Sequence, residues 1–112
     1  MQKENEHFNN LDPVTHEMLS KLFEECAEVI QVVGKIMVHG LDSDSLGKYA
    51  TSNRVELQKE IADVFLTIEL LRDRTIISQS VLGTMRKQKL ELLREKCAER
   101  FHHITRDMLP LR

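Results

Sequence analysis

From residue 13 onward the apolar residues of this chain recur at helical spacing. Val14, Met18, Leu22, Cys26, Val29, Val33 and Ile36 follow in steps of three and four, and Leu19, Phe23, Ile30 and Met37 widen the stripe. That spacing predicts one long amphipathic helix over about 13–38. Asp12 can cap it, Pro13 suits its first position and Glu17 lies in its early turns. His39-Gly40 ends it, with Gly40 placed for a left-handed cap. Residues 40–52, rich in Gly, Asp and Ser, read as a loop, long enough to suggest a functional segment. Asn53 then offers a cap, with Glu56 completing a capping box, for a second helix over 54–73. Leu57, Ile61, Val64, Phe65, Leu66, Ile68, Leu70 and Leu71 surround most of that helix, which predicts a central position. A connector runs from Arg72 to Ile77. Ser78 or Ser80 starts a third helix that runs to about Leu109, before Pro110, with Gly83 as the place where a break is expected. Its apolar residues include Val81, Leu82, Met85, Leu90, Leu92, Leu93, Cys97, Phe101 and Ile104. Residues 1–11 read as a polar arm.

The reading is therefore an all-α protein, a bundle of three to four helices in a single domain over 1–112. With 112 residues the core is modest, so completion by homo-oligomerisation, as a dimer or tetramer, is expected. Scarce glycine and proline and absent tryptophan fit helix better than sheet. A net charge of −2 predicts no nucleic-acid partner. No run approaches the roughly 20 apolar residues of a membrane span, and the polar start, Met1 to Asn10, lacks the apolar core of a secretory leader. Cys26 and Cys97 fall within helical patterns and read as reduced packing residues, consistent with a cytoplasmic protein.

Two acidic strings change this picture. Residues 24–28 read Glu-Glu-Cys-Ala-Glu and residues 60–63 read Glu-Ile-Ala-Asp. In each, two carboxylates stand three apart and share one helix face. At about 100° per residue, Glu25 points between Val14, Met18, Val29 and Val32, inside the apolar stripe. Asp63 points near Leu66 and Leu70, and Glu60 sits at the stripe's margin. Buried carboxylates are costly unless paired or metal-bound. Lys21, Lys35 and Lys59 fall mostly off that face, so a divalent cation is the economical partner. An all-oxygen set without His or Cys suits Mg²⁺ or Mn²⁺.

Glu24-Glu25-x-x-Glu28 followed by Glu60-x-x-Asp63 resembles the paired EExxE and ExxD motifs of the MazG-like nucleotide pyrophosphohydrolases, of the all-α NTP pyrophosphatase group. The stretch TSNRVELQKEIADVFLTIELL, residues 51–71, is similar to that family's second core helix, and the resemblance spans roughly residues 15–95. It implies an oligomeric helical bundle that hydrolyses a nucleoside triphosphate to monophosphate and pyrophosphate with Mg²⁺. It implies Glu25, Glu28, Glu60 and Asp63 as metal ligands, with Glu24 orienting a ligand or the attacking water. The motifs stand further apart than in the most compact relatives, so loop 40–52 reads as an insertion or lid. Relatives often stack the base on aromatic rings, and here Phe8, Phe23, Tyr49, Phe65 and Phe101 are available.

A triphosphate also needs cationic groups. By position, Arg74 and Lys87 are the expected substrate-binding residues, ahead of Lys48 and Arg54. Glu99-x-x-His102 has di-iron spacing, but such sites need two such pairs. His7, His16 and His39 form no ligand set, and no Walker loop, dinucleotide fingerprint or nucleophile elbow is present. Two other readings stay open: a phosphoribosyl-ATP pyrophosphohydrolase, and a non-catalytic helical interaction module whose acids only solvate its surface.

Overall fold

In a computed structural model, which describes residues 9–42, 52–96 and 99–107, the chain is all-helical. Four helices stand among the described residues: α1 over Pro13–His39, α2 over Asn53–Asp73, α3 over Gln79–Lys96 and α4 over His102–Asp107. The chain divides into two compact units, Met1–Arg74 and Thr75–Arg112. Most of the expected polar arm, loop positions 43–51 with Lys48 and Tyr49, and Phe8, His7, Cys97, Leu109 and Pro110 lie outside the described residues.

In the first unit α1 and α2 form an antiparallel hairpin. Asp12 caps α1 through a 3.0 Å bond from the Thr15 N–H, and Pro13 opens the helix as expected. At the other end Gly40 takes φ 90° and ψ 168°, and its N–H closes on the Ile36 carbonyl at 2.8 Å. The positive φ needs glycine, although the ψ lies outside the left-handed helical basin. Val32 and Leu71 are the buried hydrophobic residues of the pair. Charged contacts mark both ends of the antiparallel alignment: Arg74 lies 3.4 Å from Asp12, and Lys35 lies 3.8 Å from Glu56.

The cap of α2 differs from expectation. Ser52, one residue earlier than Asn53, is the N-cap, its Oγ accepting from the Val55 N–H at 3.3 Å. Asn53 is the first helical residue and is 1% exposed. Its Nδ2 donates to the Gly40 carbonyl at 3.0 Å, and the Arg54 N–H donates to the Leu41 carbonyl at 2.7 Å. The amide is thus used to join the two ends of the loop, which leaves the capping to its neighbour. Glu56 does not complete a capping box: with Ser52 as the cap the box position falls on Val55, and the Glu56 carboxylate lies 3.8 Å from Lys35.

α2 covers itself with α1 along one flank only. Asn53, Thr67 and Leu71 are buried, while Val55, Phe65, Leu66 and Leu70 are exposed. The sequence reading makes this helix central on all sides; within the hairpin one neighbour is enough to cover one side.

In the second unit Ser78 starts α3, its Oγ accepting from the Val81 N–H at 3.4 Å. The helix runs unbroken through Gly83, against the expected break. One glycine costs about 1 kcal/mol relative to alanine, and the Leu, Met, Arg, Lys, Glu and Gln residues around it are strong helix formers. The single helix expected to Leu109 is instead interrupted: Glu99 to Phe101 form a turn before the short α4.

The Asn53 clasp is open to a direct test. Asn53→Ala leaves the Gly40 carbonyl without that donor and empties a buried site, so stability is expected to fall by about 1–3 kcal/mol. Urea unfolding should show a lower midpoint at unchanged slope, whereas Ser52→Ala, which removes only a cap, should cost about 1 kcal/mol.

Candidate metal centre

The hairpin brings the two acidic strings together midway along its seam. Glu25 and Glu28 come from α1, Glu60 and Asp63 from α2. One carboxylate oxygen from each lies within 4.8 Å of all the others. The spacing of three within each string places its two acids on successive turns of one face, and the antiparallel alignment sets Glu28 against Glu60 and Glu25 beside Asp63. Glu25 is 3% exposed and the other three are half-buried.

The electrostatics are those of a site short of positive charge. The hydrogen bond to Glu60, then burial, then repulsion by Glu60 and Glu25 push the Glu28 carboxyl up to about 7. Glu28 accordingly holds a proton near neutrality. Glu25 moves the other way, because the Lys21 ammonium bonds its Oε1 at 2.8 Å and holds the carboxyl below its usual range against the effect of burial. Two buried oxygens, Glu25 Oε2 and Glu60 Oε2, have no hydrogen-bond partner. One lies on each helix, within the carboxylates of the cluster. Buried polar atoms are nearly always satisfied, so an orphaned pair in an all-carboxylate cluster fits a hard, oxygen-seeking cation. The four residues can hold a metal ion.

The remaining candidates are placed differently. Glu24 is exposed on the outer edge of α1, 4.0 Å from Lys21. Arg74 caps the far end of α2 beside Asp12, eleven positions past Asp63 and so about 16 Å along the helix. Lys87 is exposed on α3, in the other unit. Arg54 pairs with Asp42 at 2.8 Å.

Lys21 corrects the expectation that it stands off the acidic face. It lies about 40° round the helix from Glu25, close enough for a flexible four-carbon stem to span. The sequence signal for this contact is a Lys-to-Glu pair four residues apart. A cleft of about 350 Å³ adjoins this lysine, lined by Val14, Glu17, Met18, Lys21, Thr67 and Leu70. Thr67, buried one turn beyond Asp63, donates its hydroxyl to the Asp63 carbonyl at 3.0 Å. Neither the cleft nor Thr67 is legible in the sequence, because both depend on which flanks of the two helices meet. Cys26 is a free thiol and is exposed, contrary to the expectation that it packs inside: it sits on the side of α1 turned away from α2.

These shifts set the response to pH and cation. Glu28 holds its proton more tightly folded than unfolded, so between about 4.5 and 7 the folded state binds the extra proton. Without metal, stability is therefore expected to fall as pH rises through that window. Glu25 acts oppositely: its contribution is present above the ordinary glutamate value and fades as pH drops through its lowered one. A cation must displace the Glu28 proton, so its apparent affinity should weaken about tenfold per pH unit below 7. Melting curves from pH 5 to 8, with and without millimolar Mg²⁺, should show stabilisation growing with pH. A melting temperature that Mg²⁺ leaves unmoved at pH 7.5 would mean that the acids hold no such ion.

No family model, curated protein or solved structure matches this chain, so what the site can do is read from its own carboxylates.

Proposed function

We propose that the chain is a MazG-like, Mg²⁺-dependent nucleoside triphosphate pyrophosphohydrolase, working as a cytoplasmic homo-oligomer, with Mn²⁺ as an alternative cation. The observation that carries this reading is the convergence of four carboxylates on two adjacent helices, with Glu25 Oε2 and Glu60 Oε2 buried and unpartnered. A divalent cation in that cluster supplies charge neutralisation for the triphosphate and acidification of the attacking water.

The chain's own residues then take distinct parts. Glu25, Glu28, Glu60 and Asp63 hold the cation and, being on helices, present their oxygens with little reorganisation. Glu24, exposed beside the cluster, orients the water or a ligand. Lys21 bonds Glu25 at 2.8 Å, whereas Arg74 stands about 16 Å along α2 from Asp63, so Lys21 is the better placed of the two for a phosphate oxygen. The adjoining cleft, apolar at Val14, Met18 and Leu70, offers walls for a base.

The non-catalytic reading has one observation in its favour. Lys21 and the proton held by Glu28 relieve part of the repulsion without any metal. Activity separates the two readings. Glu60→Gln keeps shape and removes one charged ligand, so pyrophosphate release with Mg²⁺ is expected to fall by about a hundredfold or more, while metal-free thermal stability stays level or rises. Glu91→Gln, exposed on α3, should leave both unchanged. Full activity in Glu60→Gln, or no pyrophosphate release from any canonical or damaged nucleotide by the unaltered protein, would sink the enzyme reading.

A further inference from the structure

The acids sit midway along one edge of the α1–α2 hairpin, and the two directions leading away from them differ in chemistry. Toward the Asp12 end lies the cleft of about 350 Å³, all of it within the first unit. Val14, Met18 and Leu70 make its walls apolar. Its far wall carries the Glu17 carboxylate, eight positions and so about 12 Å along α1 from Glu25. Toward the Gly40 end the edge carries lysines instead. Lys35 stands about 20° round α1 from Glu28, and its Nζ lies 3.8 Å from Glu56, one turn of α2 before Glu60. Lys59, exposed on α2, stands about 40° from Asp63 and about 20° from Leu70, so it shares the edge that the cleft and the acids occupy.

A nucleoside triphosphate has the same polarity. Its base presents apolar faces, and its β and γ phosphates concentrate negative charge. The Glu17 carboxylate repels phosphate, which makes the cleft unfit for that end. Apolar walls suit the base. In the other direction a phosphate meets two ammonium groups, flexible point charges of the kind that bind it. The Lys35–Glu56 pair does not stand in the way. Both side chains are part-exposed, at 43% and 32%, and so loose a pair holds its partner weakly. Helical side chains also lean toward the N-terminus of their helix, which brings the Lys35 stem back toward Glu28.

We propose that a nucleotide lies along this edge in one direction, its base and sugar in the cleft and its β and γ phosphates on Lys35 and Lys59. The α–β bridge then falls over Glu25, Glu28, Glu60 and Asp63. This rests on the pyrophosphohydrolase reading and adds to it a binding direction and two residues that hold the leaving pyrophosphate. Lys21, between the cleft and the acids, faces the α phosphate. The two products accordingly have separate seats, the monophosphate at the Asp12 end and the pyrophosphate at the Gly40 end.

Calorimetry on the full chain in millimolar Mg²⁺ reads the two seats separately. The probes are inorganic pyrophosphate and, one at a time, the common nucleoside monophosphates. Lys35→Gln with Lys59→Gln should weaken pyrophosphate by about tenfold or more, and leave the tightest monophosphate within about twofold. Lys35→Arg with Lys59→Arg keeps both charges and should hold pyrophosphate within about threefold. Leu70→Glu, at a position 41% exposed, should do the reverse of the glutamine pair: monophosphate weakened about tenfold, pyrophosphate unchanged. The lysine variants alter side chains that already reach water, so they decide the case by themselves if Leu70→Glu unfolds. Lysine variants that weaken both probes equally, or the monophosphate more, would overturn the direction, as would an unaltered chain that binds neither probe. An unaltered chain that shows the split yet releases no pyrophosphate from any nucleoside triphosphate supports the direction and ends the hydrolase reading.

Discussion

Everything in the first unit turns on four carboxylates that the helix packing does not allow to part. Val32 and Leu71 are buried by the same antiparallel alignment that sets Glu28 against Glu60 and Glu25 beside Asp63. Sliding one helix by a turn would separate the acids, and it would also dismantle the clasp at Gly40. The repulsion is therefore met in place, by the Lys21 ammonium on one side and by a retained proton on the other. Neither of these reaches the pair of buried, unpartnered oxygens, one on each helix.

The fold is legible where periodicity is long and its ends are marked. Asp12-Pro13 and His39-Gly40 bracket twenty-seven residues of α1, and the helix begins and ends within a residue of expectation. The acids are legible for a related reason: a carboxylate at an apolar angular position is visible in a sequence, and Glu25 is buried as its angle implies. The features that escape the sequence depend on long side chains and on contacts between segments. Lys21 is misplaced by its angle because a helical wheel treats a side chain as a direction, while a lysine stem sweeps an arc. Asn53 reads as a cap because the loop closure that occupies it spans thirteen positions. The fate of the third helix is set by a turn at Glu99–Phe101 that carries no glycine or proline to announce it.

α1 serves three surroundings around one circumference. One face is apolar and covered by α2, interrupted by Glu25. The adjoining edge, with Lys21, Glu24 and Glu28, is charged. The far side, from Leu19 to Met37, is apolar and open. A helix that is apolar over so much of its surface has one way to stay in solution alone, which is to devote the charged edge to solubility. Here that edge carries Lys21, Glu24 and Glu28, and its charge offsets the apolar far side.

The clasp between Asn53 and Gly40 has a consequence for how such a chain can change. Both helix ends are tied to each other at the root of the connecting segment, by the Asn53 amide, by the Arg54–Leu41 backbone bond and by the Arg54–Asp42 pair. The root bears the geometry, and the acids sit several turns away down the seam. Doubling the length of a connection adds only about 0.6 kcal/mol in chain entropy. A longer connection between Asp42 and Ser52 therefore adds little chain entropy, while the contacts at its root hold the carboxylates in their places.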